Sequence, residues 1–243
     1  MMRMSTLPKF IFLLVLACAL KAQAKTYYLC IGIADYPGVR NDLRLPAQDA
    51  LAMQRIYQKK DNTDGYCLIN EQATGLAIAN AFEYLCVKAE KEDHIVFFFS
   101  GHGGNGLLLA YDKTLSYKFL YDALSKTKAS RKIIFIDACL SGKMRQCPNT
   151  YHPTEEQKNT DVLFFLSSRS NEASIEDRRL KNGYFTLYLE RGMRGGADYD
   201  RNRIITAREL FNFVSQGVQT ISNRQQHPVM WGRFLDTMPI ISW

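Results

Sequence analysis

The stretch His94-Ile95-Val96-Phe97-Phe98-Phe99-Ser100-Gly101-His102-Gly103-Gly104 decides the fold. The stretch from His94 to Phe99, apolar from Ile95 on, reads as one strand without alternation, so both its faces must be covered, as in the interior of a parallel sheet. A second buried strand is read over residues 132–136, apolar from Ile133 on, and continues into Asp137-Ala138-Cys139-Leu140-Ser141-Gly142. Each run ends in a polar segment containing glycine, which lets the backbone turn sharply and approach a ligand closely. In open parallel sheets, functional groups collect at the carboxyl ends of the strands. That rule singles out His102 and Cys139.

Outward from these two runs, the chain alternates strand and helix. Residues 27–33 and 66–69 read as strands, and residues 162–166 as a further buried one. Ala47, Ala50, Met53 and Tyr57 share one helical face, with Pro46 placed for the first turn. Ile78, Phe82, Leu85 and Ala89 mark a second helix, and residues 117–125 and 182–193 predict two more. Residues 206–221 predict a longer amphipathic helix, with Ala207, Leu210, Phe211, Val214, Val218 and Ile221 on one face. Alternating strands and helices imply a mostly parallel sheet covered on both sides. With no internal repeat and no low-complexity linker, one domain spans residues 25–243.

A thiol acts as a nucleophile through its thiolate, and a neighbouring imidazole can take its proton and later protonate a leaving amine. Acyl transfer also needs donors for the developing oxyanion. The backbone N–H groups of Gly103 and Cys139 are candidates if the two strand ends lie side by side. Taken singly, a Cys after a strand is more often a core thiol, and a His in a glycine-rich loop more often a turn residue. Their joint occurrence at two buried strand ends points to a His/Cys pair.

The pair Ser100-Gly101-His102-Gly103 and Asp137-Ala138-Cys139-Leu140-Ser141-Gly142 resembles the catalytic signature of the caspase-like cysteine peptidases, closest to the metacaspases and bacterial caspase-like (orthocaspase) proteins. Residues 29–35, residues 45–53 with Asp49, and residues 165–186 with Ser167, Ser168, Glu172, Ser174, Gly183, Phe185 and Thr186 extend the likeness. The resemblance implies an α/β fold: a three-layer sandwich of a mainly parallel six-stranded sheet with helices on both faces. It also implies a His102/Cys139 dyad working through an acyl-enzyme. Asp137, two residues before Cys139, points the same way if strand geometry persists, and a carboxylate there would attract Arg or Lys. Metacaspases are similar in having both this Asp and one matching Asp49 around a pocket for basic side chains. The expectation is an endopeptidase whose partners are proteins or peptides with basic residues. A plainer role for Asp137 is to cap the following turn. Other readings are a legumain-like transamidase or ligase of the same clan and an inactive binding homologue.

The chain has 243 residues and a formal charge of +7. Residues 10–20 are nearly all apolar, follow Arg3 and Lys9, and lead to Ala22-Gln23-Ala24, the order of a secretory signal. Residues 1–24 are therefore expected to be a signal peptide, giving an exported (periplasmic or secreted) protein with no stable membrane span. Lipidation of Cys18 in Leu16-Ala17-Cys18 is an alternative that fits its signal only loosely. Loss of Arg3, Lys9 and Lys21 lowers the charge to +4. The remaining basic residues are scattered, which argues against nucleic acid as a partner. Five cysteines follow the signal, an odd number, with Cys30 and Cys86 in apolar stretches that suit core thiols. Residues 143–160 are expected to form an exposed loop; the resemblance implies self-cleavage there, at Lys143, Arg145 or Lys158, and a plain solvated loop is the alternative reading. No cofactor is required by this chemistry. One metal is a candidate: Asp198, Asp200, Asn202, Thr206 and Glu209 match the ligand spacing of a calcium loop, although Arg203 stands at the usual glycine position.

Overall fold

The computed structural model describes residues 23–104, 106–139, 161–169 and 180–243. Six strands form the main sheet: β1 (Thr26–Gly32), β2 (Thr63–Ile69), β3 (His94–Ser100), β7 (Arg131–Asp137), β8 (Asp161–Leu166) and β10 (Val229–Arg233). Their order is β10-β8-β7-β3-β1-β2; all neighbours pair in parallel except β10, which runs antiparallel to β8. Between β3 and β7 a small antiparallel sheet links β4 (Gly103–Gly104), β5 (Leu107–Leu109) and β6 (Thr114–Ser116). A two-stranded sheet pairs β9 (Ile204–Thr206) with β11 (Pro239–Ser242).

Helices cover both faces. α2 (Gly75–Lys88) and α3 (Tyr117–Lys126) pack on Leu29, Ile31, Phe97, Phe99, Ile134 and Ile136. α1 (Pro46–Gln58), α4 (Tyr184–Arg191) and α5 (Ala207–Ile221) pack on the opposite face, against Tyr28, Cys30, Phe98, Phe135 and Phe165. Odd and even residues of each strand thus enter different cores, which is why the central strands show no alternation in the sequence. Each fully buried Phe contributes about 1.5–3 kcal/mol through removal from water. Cys30 and Cys86 are fully buried, as their apolar settings predict.

Local chemistry sets the helix limits. Pro46 opens α1. Thr74 caps α2 by accepting the Ala77 N–H. A reciprocal Thr206–Glu209 capping box starts α5. The predicted helix over 182–193 is shorter: α4 stops at Arg191 and widens into a π-type turn over Gly192–Gly196, where Gly195 has φ 110°. Strand β10, not assigned from the sequence, completes the sheet beside β8.

The register fixes one edge of the sheet. Gly32 is paired with Ser100, and Ser100 with Asp137. Three strands therefore end level, and the His102 and Cys139 loops leave from adjacent positions.

Candidate active site

His102 follows β3 by two residues and Cys139 follows β7 by two, and both are half-buried. The loops touch. A Cβ added at Gly103 would lie 2.8 Å from both the Ala138 Cβ and the Cys139 carbonyl oxygen. Only glycine allows this approach. The Gly101 N–H donates to the Asp137 carbonyl at 3.2 Å, joining the two strand ends further.

The imidazole is oriented by backbone. His102 Nε2 lies 2.7 Å from the carbonyl oxygen of Asn41. A carbonyl only accepts, so Nε2 carries the proton and Nδ1 is the basic nitrogen of the neutral ring. The His102 N–H donates to the Tyr36 hydroxyl at 2.9 Å, and that hydroxyl donates to the Leu109 carbonyl at 3.1 Å. The Tyr36 ring also packs on the imidazole, with centroids 4.9 Å apart. Burial pushes the Tyr36 phenol well up, so it remains a donor.

The backbone before Cys139 is clamped from β8. Ser167 Oγ accepts the Ala138 N–H at 3.1 Å and lies 3.2 Å from the Ala138 carbonyl, to which Ser168 Oγ also donates. Fully buried Gln226 donates through Nε2 to the Ser167 carbonyl at 2.9 Å, tying the chain after α5 to this clamp.

Two buried carboxylates lie at the same strand ends. Asp137 Oδ2 accepts from Thr186 Oγ1 at 2.8 Å and from the Thr186 N–H at 3.3 Å. Asp49 Oδ1 accepts from Asn182 Nδ2 and the Gly183 N–H, and its Oδ2 accepts from Ser100 Oγ at 2.8 Å. Gly183 stands against both: a Cβ there would be 3.0 Å from Asp137 Oδ2 and 3.4 Å from Asp49 Oδ2. Burial holds the Asp49 carboxyl well above its ordinary range, and the Asp137 charge raises it further. Each Asp49 oxygen is already engaged within the protein, so Asp49 buttresses this corner.

Of the residues singled out from the sequence, His102, Gly103, Cys139, Asp137 and Asp49 thus come together at one edge. Tyr36, Asn41, Asn182 and Gln226 were not anticipated. Asn182, polar and next to Gly183 ahead of a helix, carried a faint capping signal; Asn41 acts through its carbonyl and carried none.

The Asp198–Glu209 loop lies at the other end of α4 and α5, away from this edge. Ligand atoms of Asp198, Asp200 and Glu209 lie within 4.8 Å of one another, a spacing that suits a hard cation. Arg203 takes φ 65° at the turn. The carboxylates also serve the loop itself: Asp198 and Asp200 accept the Asn202 N–H, and Glu209 accepts from Thr206. Ser141, Gly142, Cys147, Glu172, Ser174, the 143–160 loop and the signal segment through Ala22 lie outside the described residues. Among the described residues no helix is long and apolar enough to cross a membrane.

A three-layer α/β sandwich with facing His and Cys loops at the carboxyl edge of its sheet defines a caspase-type fold. The family model for the caspase domain matches residues 25–238, and the chain belongs to that family of cysteine peptidases. Among solved structures, it is similar to protein GSU0716 from Geobacter sulfurreducens, with TM-score 0.68 and 17% identity over 90% of this chain and 99% of that one. It is also similar to caspase-1 from Spodoptera frugiperda, with TM-score 0.62 and 15% identity over 86% of each chain. At these identities the likeness concerns the fold. No curated protein sequence matches.

Proposed function

We propose that this chain is a cysteine endopeptidase that cleaves after Arg or Lys. The observation that carries the reading is the approach of Gly103 to Cys139, which puts an oriented imidazole loop against the only half-buried thiol at the sheet's carboxyl edge among the described residues. In the proposed reaction, His102 Nδ1 takes the Cys139 proton as sulfur attacks the scissile carbonyl. The same proton passes to the departing amine, and water then hydrolyses the acyl-enzyme. N–H groups of Gly103 and Cys139 receive the oxyanion. Asp137, steadied by Thr186 and backed by Asp49, supplies the charge that selects a basic side chain.

The reaction as proposed uses no cofactor. Calcium held by the Asp198–Glu209 loop would support the start of α5, at a distance from the chemistry. Export through residues 1–24 is part of the same proposal, and a mature N-terminus at Lys25 in the secreted protein would establish it.

The decisive experiment compares wild type and Cys139→Ala on peptides ending in Arg, Lys and Asp, with and without calcium. Hydrolysis after Arg and Lys by wild type alone is expected, with calcium changing stability but not rate. Asp137→Asn is expected to cut kcat/KM on Arg peptides ten- to hundredfold, from loss of a charged hydrogen-bond partner worth about 1.5–3 kcal/mol. Faster cleavage after Asp overturns the specificity. Absence of turnover, together with no labelling of Cys139 by a basic acyloxymethyl ketone, makes the chain an inactive homologue.

A further inference from the structure

Cys30 and Cys67 stand directly abreast on the neighbouring parallel strands β1 and β2. Both join the core beneath α1, Cys30 fully buried and Cys67 half-buried against the same cluster, so their side chains leave the same face of the sheet. Adjacent strands lie about 4.8 Å apart, inside the span of about 4.4–6.8 Å between α-carbons that a disulfide bridges. Gly65 already brings β2 close to β1, since a Cβ there would lie 2.0 Å from the Tyr28 carbonyl oxygen. β2 is also the edge of the sheet, with no outer strand to resist a small inward shift.

We infer that Cys30 and Cys67 are a disulfide-forming pair, closed by exchange with a small-molecule or protein disulfide. Both thiols are free in this structure. Neither of the other described cysteines competes for them. Cys86 lies in the core on the opposite face of the sheet, and Cys139 stands beyond the end of β7.

The exchange begins at Cys67, the more accessible thiol. Its sulfur attacks one sulfur of the incoming disulfide, that S–S bond breaks, and the first thiol leaves. Cys30 then attacks Cys67 Sγ, the Cys30–Cys67 bond forms, and the second thiol leaves. The pair gives up two electrons and two protons, and the two released thiols hold them. Burial pushes the Cys67 thiol up to about 11 and holds the Cys30 thiol well above its ordinary value, so few thiolates exist near neutral pH in the folded chain. Closure therefore belongs to folding, or to moments when the edge strand opens. The resulting loop encloses Tyr36, Asn41 and Asp49, the residues that orient His102 and buttress Asp137. The bridge would thus fasten the segment on which the candidate site leans.

The test uses the full chain refolded in a glutathione redox buffer, then denatured, alkylated and mapped by mass spectrometry. The expected result is loss of the alkyl label from both Cys30 and Cys67, one linked peptide containing the two, and a higher melting temperature than the reduced protein. Cys67→Ser should leave Cys30 fully labelled and remove the redox dependence of melting. Full labelling of both cysteines in the refolded wild type overturns the inference. So does a glutathione adduct on Cys67 with Cys30 still labelled, or linkage of either cysteine to a different partner. None of these readouts depends on peptidase activity.

Discussion

A methyl group on Gly103 would stand 2.8 Å from both the Ala138 Cβ and the Cys139 carbonyl oxygen, contacts closer than carbon and oxygen tolerate. Gly103→Ala should therefore push the two loops apart without disturbing the sheet behind them. Misplacement by about 1 Å can cost on the order of a hundredfold in rate, so kcat should fall by that order while melting shifts only slightly. Retention of full turnover would remove Gly103 from the argument. Tyr36→Phe makes a subtler cut. The ring stays against the imidazole, but the His102 N–H and the Leu109 carbonyl lose their shared hydroxyl. A loss of about 1–3 kcal/mol in stability is expected from the orphaned groups, with kcat lowered more than KM is raised. Unchanged stability and kcat would show that water replaces the hydroxyl at no cost. His102, Cys139 and Asp137 were legible in the sequence because reactive side chains stood where apolar strands ended. Tyr36 and Asn41 were not, because their partners are brought to them only by the fold.

Helices α4 and α5 meet where Tyr188 lies over Gly217, so closely that a Cβ at Gly217 would be 2.1 Å from the ring. Glycine inside a helix costs about 1 kcal/mol relative to alanine, so packing must offset that cost. Gly217→Ala is expected to destabilise by about 1–3 kcal/mol, as overpacked cores do. In a Tyr188→Ala background the same change should instead stabilise, because only helix propensity remains. Urea unfolding of the four proteins measures both signs, and a destabilising Gly217→Ala in both backgrounds would sink the explanation. The predicted helix over 206–221 matches α5 because Leu210, Val214 and Val218 repeat at its period. The sixth strand was invisible at this scale. Val229–Arg233 is a short, partly exposed edge with Gly232 inside it, and its assignment rests on pairing with β8. The end of α4 was missed because Gly192–Gly196 turns to meet α5, a contact remote in sequence.

Across the whole molecule, two titratable groups, half-buried His94 and fully buried Asp49, oppose each other in pH. His94 opens β3, donating its N–H to the Lys25 carbonyl, and lies in register with Arg131. Burial, then the Arg131 charge, lowers its pKa to about 4, with Asp93 pulling weakly the other way. Near pH 5 the unfolded chain therefore binds a proton that the folded chain refuses. This contribution is fully present above the ordinary histidine value, about 6.5, and is lost as pH falls towards 4. Asp49 acts in the reverse sense. Its folded pKa is raised by burial and by Asp137, so the folded chain holds a proton that the unfolded chain releases. Its contribution is fully present below the ordinary carboxylate value and is lost as pH rises through the raised one. Asp49→Asn should keep the oxygen that accepts from Asn182 and Gly183, let Ser100 Oγ accept in turn, and remove the titration. Urea unfolding across the acidic and neutral range should show Asp49→Asn losing less stability than wild type as pH rises, and His94→Gln losing less as pH falls. An unchanged slope in Asp49→Asn would mean that Asp49 ionises freely beside Asp137. The paired-carboxylate account of a pocket for basic side chains would then lose its tension. Under the proposed specificity a bound guanidinium would neutralise the corner, so Arg-ending ligands should raise the melting temperature of Cys139→Ala more at neutral pH than at pH near 5, while Asp-ending ligands should not.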